Sequence, residues 1–220
     1  MPEISIHPAL KALVPNLGLG CISANVVVEK HNEALWREID QHLTHLIATI
    51  KPEHINTVPQ IAAMRQAYKA LGKDPSRYRG SAEALLRRVL SGKGLYQINS
   101  VVDINNLVSL ESLNPAGTYD LVNITPPIEL RIGAASESYK GIGKDLINIE
   151  SLPVFADAVG PFGSPTSDSE RAMVSLDTRK ILMVVFSFTG SEGLEHWVNR
   201  ASELLRRYCG GEGIETSLVN

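Results

Sequence analysis

Two stretches concentrate residues able to do chemistry. The first is LYQINSVVDINNLVSL, Leu95 to Leu110, which sets Asn99, Asp103, Asn105 and Asn106 into an otherwise apolar run. The second is GPFGSPTSDSER, Gly160 to Arg171, a polar segment between two apolar ones. An asparagine amide both donates and accepts, so Asn99 or Asn106 facing a cleft is equipped to read a ligand. Buried without a ligand, the same groups and Asp103 instead pin neighbouring loops, because an unpaired buried polar group costs about 1–3 kcal/mol. The second stretch has a similar pair of readings. Ser164, Thr166, Ser167, Asp168 and Ser169 either bond their own backbone in turns or form a rigid binding loop that offers hydroxyls and N–H groups to a ligand.

Other constellations are incomplete. The nucleophile elbow GxSxG is missing, since TGSEG and FGSPT have the wrong spacing. NLGLGCIS lacks the third glycine of a dinucleotide loop. SYKGIGKDL matches a phosphate loop only in its Gly-Lys, with Ser138 and Asp145 at positions that need Gly and Ser or Thr. His42 and His45 lie one helical turn apart with no third ligand at suitable spacing, so they read as surface histidines. No metal or cofactor is expected. Cys21 and Cys209 are isolated, which suits a reducing, cytoplasmic setting. No apolar run is long enough to span a bilayer, and the N-terminus lacks the basic flank and apolar stretch of a signal peptide.

The net charge of −3 argues against a surface that grips nucleic acid everywhere. The charge is nevertheless uneven. Arg65, Lys69, Lys73, Arg77, Arg79, Arg87, Arg88 and Lys93 face only Asp74 and Glu83 over the same stretch. Such a strip either docks one part of an RNA or is two solvated helix faces flanking a turn.

The elements that must position these groups follow from periodicity. Leu35, Ile39, Leu43, Leu46 and Ile50 have helical spacing within His31–Ile50. Helices are also expected over Ile61–Leu71, with Gly72 at its end, over Ser81–Leu90, and over Gln97–Glu111. The last is apolar nearly all round: Val101, Ile104, Leu107 and Val108 share a face, while Val102 and Leu110 lie opposite. It is therefore expected to be mostly buried. Ile22–Lys30, Ile128–Ile132, LPVFADAV, RKILMVVFSF and GIETSLV read as strands. Leu194 to Tyr208 reads as an amphipathic helix, capped at its start by Thr189 with Glu192, or by Ser191, and ended by Gly210–Gly211. The pattern predicts one α+β domain over residues 1–220, with helices packed on a mixed or antiparallel sheet.

NSVVDINNLVSLESLNPAGTYDL, Asn99 to Leu121, resembles the signature stretch of the tRNA-editing domain in the β subunit of bacterial phenylalanyl-tRNA synthetase. That family reads N-x-V-V-D-x-T-N-Y-V-x-L-E, followed by Gln-Pro and His-Ala-Phe-Asp. The likeness continues through VFAD and the segment Thr178-RKILM, and covers about Ile61 to Phe188. MRQAYKALGKDPSRYRGSAEALLRRVL, Met64 to Leu90, looks like freestanding relatives of that domain. Asp103 and Asn106 match the family Asp and Asn, whereas the family His falls on Gly117 and the family Glu on Val184.

The resemblance implies the editing-domain fold, with tRNA or aminoacyl-tRNA as partner. It implies hydrolysis of a misacylated tRNA in trans and no ligase activity, because the aminoacylation core belongs to the other subunit. Rejecting tyrosine is chemically feasible, since a site that hydrogen-bonds the phenol discriminates strongly. Ester hydrolysis then needs a positioned water and oxyanion stabilisation, and the ribose hydroxyl at the tRNA 3′ end can assist if the protein orients it. The departures at Gly117 and Val184 keep two alternatives open: a tRNA-binding or amino-acid-binding module without hydrolysis, and a structural domain whose polar helix only pins the core.

Overall fold

A computed structural model describes residues 1–220. In chain order it contains β1 (Ile4–Ile6), α1 (Pro8–Leu13), β2 (Gly18–Asn25), α2 (Glu33–Thr49), α3 (Pro59–Ala70), α4 (Ser81–Leu90), α5 (Ser100–Ser112), β3 (Ala116–Asp120), β4 (Ile128–Ile132), β5 (Ser138–Lys140), β6 (Leu146–Asn148), β7 (Pro153–Ala156), β8 (Pro161–Gly163), β9 (Lys180–Ser187), α6 (Leu194–Cys209) and β10 (Glu212–Val219). The fold is α+β, as the patterning predicts. No helix is long and apolar enough to cross a membrane.

A central antiparallel sheet, in the order β10-β2-β9-β3, separates two apolar cores. Ile22, Ala24, Ile181, Met183 and Val185 face the first core with residues of α2, α4, α5 and α6. Leu19, Cys21, Leu182, Val184 and Phe186 face the second, against a smaller mixed sheet in the order β1-β4-β7-β8. β1 pairs with β4 in parallel and the other pairs are antiparallel. Because both faces of the central sheet are covered, β9 reads as an unbroken apolar run rather than an alternating one. A separate hairpin joins β5 to β6.

Several expected boundaries move. The strand expected over Ile22–Lys30 runs over Gly18–Asn25 instead. Its glycines hide it from propensity, yet Gly20 is required by packing, since a β-carbon there would lie 2.7 Å from a methyl of Val198 on α6. β3 also escapes patterning, because PAGTYD has the composition of a turn. α5 starts at Ser100 rather than Gln97, because Asn99 caps it by accepting from Val102 N at 2.9 Å. α6 has no side-chain cap: Gly193, with φ of 80°, precedes it, and Thr189 bonds Ser187 instead. Gly72 and Gly210 have the positive φ expected of residues that end helices.

Candidate functional site

The polar residues of α5 are largely committed to holding the chain together. Asn99 is the helix cap. Asp103 is buried and uses both oxygens: Oδ2 accepts from Trp36 Nε1 at 2.8 Å, and Oδ1 from Ile98 N at 3.0 Å. Burial raises its carboxyl above the usual range, with these two donors pulling it back. Asn105 donates to Ala116 O at 3.3 Å and accepts from Thr118 Oγ1 at 3.0 Å, which ties α5 to β3. Asn106 is half-buried, and its one side-chain contact is a long 3.5 Å bond from Asn105.

The loop from Gly160 to Arg171 is built differently. Ser164 Oγ acts as its hub, accepting from Thr166 N and Ser167 N and donating to Ser167 O at 2.7 Å. Ser169 caps a short turn by accepting from Arg171 N. Arg171 clamps the base of the loop, donating to both oxygens of Asp157 and to the carbonyls of Asn123 and Gly160. Burial alone would raise Asp157, but Arg171 and the N–H groups of Thr125, Val159 and Gly160 hold its carboxyl below the usual range.

Three tyrosines from distant elements converge on this loop. Tyr68 of α3 shares a hydrogen bond with Thr166 Oγ1 at 2.8 Å, and Tyr139 of β5 donates to Ser167 O. Tyr119 of β3 donates to Asp168 Oδ1 at 3.0 Å, and Ser164 N donates to the same oxygen at 3.1 Å. Burial pushes all three phenols up, so they stay protonated donors. Burial also pushes the half-buried Asp168 carboxyl up to about 6, against the pull of Ser164 N, Tyr119 and Lys144. Asp168 Oδ2 makes no hydrogen bond within the protein.

The positions on which the sequence resemblance places the family His and Glu come together here. Gly117 and Val184 are direct cross-strand partners on β3 and β9. The space above Gly117 is filled by the Tyr119 phenol, two residues along on the same face. Thr118 points the other way, to Asn105. The two polar clusters therefore lie on opposite faces of the central sheet, with the outer edge of β3 between them. The main clefts of the molecule lie elsewhere. One of about 410 Å³ opens between α1 and α3, lined by residues that include Val14, Ala63, Ala67 and Phe188.

The basic strip is partly spent inside the protein. Glu83 is only 2% exposed and pairs with Arg65 at 3.0 Å, Arg87 at 2.8 Å and Arg79 at 3.9 Å. Lys69, Lys73, Arg77, Arg88 and Lys93 have no carboxylate partner. Tyr119, Tyr139 and Lys144 are contributors that patterning overlooked. Tyr119 sat in an apparent turn, and Tyr139 and Lys144 sat in the segment read only as a failed phosphate loop, yet Lys144 Nζ donates to Ser167 Oγ at 3.1 Å.

The model of the B3/4 domain matches residues 63–210. A search of curated proteins finds no match. Among solved structures, the chain is similar to an N-terminal fragment of the phenylalanyl-tRNA synthetase β subunit from Pyrococcus horikoshii, with 14% identity and a TM-score of 0.49. That alignment covers 99% of this chain and 50% of the other, so the chain spans half the length of that fragment. The family match takes in the polar helix, the Tyr119–Asp168 pair and the whole basic strip, and the chain belongs to the B3/4 domain family, found in the phenylalanyl-tRNA synthetase β subunit.

Proposed function

We propose that the protein is a freestanding aminoacyl-tRNA editing domain that hydrolyses the ester of a misacylated tRNA in trans. The observation that carries this reading is Asp168. One of its oxygens is fixed by Tyr119 and Ser164 N while the other makes no bond, and its carboxyl titrates near 6. A carboxylate of that pKa is mostly ionised at neutral pH and well matched to take a proton from water. In the proposed step Asp168 Oδ2 removes a proton as the water oxygen bonds to the aminoacyl carbonyl carbon. The carbon–oxygen bond to the tRNA ribose then breaks, and the ribose oxygen takes the proton back. Asn106, with its nearly unused amide, is the proposed ligand-reading group of α5. Lys69, Lys73, Arg77 and Arg88 are the proposed phosphate contacts. Arg65, Arg79 and Arg87 serve the RNA only indirectly, through their hold on Glu83.

The test is deacylation of a panel of misacylated tRNAs, beginning with tyrosine on phenylalanine tRNA, with Asp168→Asn and Asn106→Ala alongside. Turnover faster than in buffer and lost in Asp168→Asn is the expected result. A second reading, a tRNA-binding or amino-acid-binding module without hydrolysis, is favoured by one observation: neither Gly117 nor Val184 carries a titratable side chain. Salt-sensitive tRNA binding with no turnover on any pairing would establish that reading and reject the first.

A further inference from the structure

We propose that Tyr96, backed by Arg88, is a stacking platform for an unpaired base of single-stranded RNA. The proposal rests on the RNA partner named above and specifies how part of that RNA is held. Between α4 and α5 the chain runs from Ser91 to Asn99 without regular structure, and Gly92 and Gly94 turn it with positive φ. This segment presents Tyr96, 59% exposed, and Ile98, 51% exposed, beside the exposed Lys93.

The aromatic ring is held rather than loose. The Arg88 guanidinium lies 3.6 Å from the centre of the Tyr96 ring and donates to its hydroxyl at 2.9 Å. Arg88 also donates to Lys93 O at 3.3 Å, which ties the loop back to α4. One face of the ring is therefore covered by a cation, and the exposure of the residue belongs to the remainder. The loop itself is anchored to the fold, since Ile98 N donates to the buried Asp103 and Asn99 caps α5. An aromatic ring stacked on a guanidinium, rigidly mounted and flanked by a free lysine, matches what single-stranded nucleic acid binds: a π-face for a base and positive charge for its phosphates. A duplex offers no free base to such a ring. The platform also adjoins the basic strip, where the Lys93 ammonium has no carboxylate partner to compete with phosphate.

The test uses the whole chain and two labelled RNA probes, a short single-stranded oligonucleotide and a blunt-ended duplex of two complementary strands of similar composition. Affinities are compared for the unmodified protein, Tyr96→Ala and Tyr96→Phe. Tyr96→Ala is expected to weaken single-strand binding by about tenfold or more, the usual scale for one stacked base. Tyr96→Phe keeps the π-face and is expected to stay within about twofold, and neither variant should change duplex binding. Single-strand affinity unchanged in Tyr96→Ala, or lost equally on both probes, would overturn the platform. The outcome is separable from that of the editing reading. Stacking without deacylation keeps the platform and rejects hydrolysis, whereas deacylation and RNA affinity both indifferent to Tyr96→Ala keep hydrolysis and reject the platform.

Discussion

Asp103 on α5 and Asp168 in the loop are both carboxylates drawn away from water, and both are pushed above the usual range by burial. Asp103 spends its two oxygens on two different donors and is closed off. Asp168 receives two donors on a single oxygen and keeps the other. The cost of burying a carboxylate is reduced at the first position by one donor on each oxygen. At the second it is left partly unmet, and an incompletely satisfied, half-buried acid suits a proton-transfer group. Under the proposed function, polar residues within an apolar setting divide into pins and reagents according to whether the protein leaves one oxygen without a donor.

The sharpest way to break this comparison is by rate. Asp168→Asn is expected to lower deacylation of the misacylated tRNA by about 10²–10⁴-fold, the range for loss of a general base. Asp103→Asn, where folded, should leave the rate unchanged in the same single-turnover assay. If the two variants lose activity equally, the division into pin and reagent fails.

Stability supplies the converse. Asp103→Ala strands Trp36 Nε1 and Ile98 N and is expected to cost about 3 kcal/mol, read from the urea midpoint. Single-stranded RNA affinity of the folded fraction should be unaffected. A loss below about 0.5 kcal/mol would show that these bonds do not hold α5 to α2.

The pH dependence sharpens the contrast further. The folded-state pKa of Asp168 is raised from 3.8 to about 6, so the folded protein binds its proton more tightly than the unfolded chain does. Its favourable contribution is complete below pH 3.8 and is lost as pH rises through about 6. Asp168→Asn is therefore expected to be more stable than the unmodified protein at pH 7.5 by about 2 kcal/mol, the gain shrinking as pH falls towards 4. Denaturation series between pH 4.5 and 7.5 would read this. Deacylation should follow the opposite course and rise through about pH 6. A constant stability difference across the range would remove the evidence that Asp168 titrates there.

The smallest expected effect is at Asn99. Asn99 caps α5, so Asn99→Ala should cost about 1 kcal/mol and Asn99→Asp very little. A change in RNA affinity at Asn99 larger than that in stability would return it to the binding residues.

Much of this arrangement is legible in the residues. The apolar spacing of α2, α5 and α6 and the run of β9 follow from periods that any local window reveals. α4 falls where its pattern predicts, Ser81–Leu90, because SGKG stops it sharply. β2 and β3 are harder to see, since Gly20 and Gly117 lower strand propensity while serving contacts with Val198 and Tyr119, residues that are distant or on the same strand face. The polar composition of both clusters was plain, and so was the basic strip. That Glu83 would also gather Arg65 was not, because Arg65 lies 18 residues away and joins only through the tertiary fold.

By itself the sequence determined that α2 to α6 are helices and that β4, β7, β9 and β10 are strands, that α5 must be buried, and which residues have the chemical capacity to bind or to titrate. These are properties of composition and of local period. Only the tertiary structure decided which of those capacities remain available. Trp36 reaches Asp103 across 67 residues, and Tyr119 reaches Asp168 across 49. Hydrogen-bond satisfaction belongs to pairs brought together by folding, and no local pattern records whether a side chain arrives at its final position with a free lone pair.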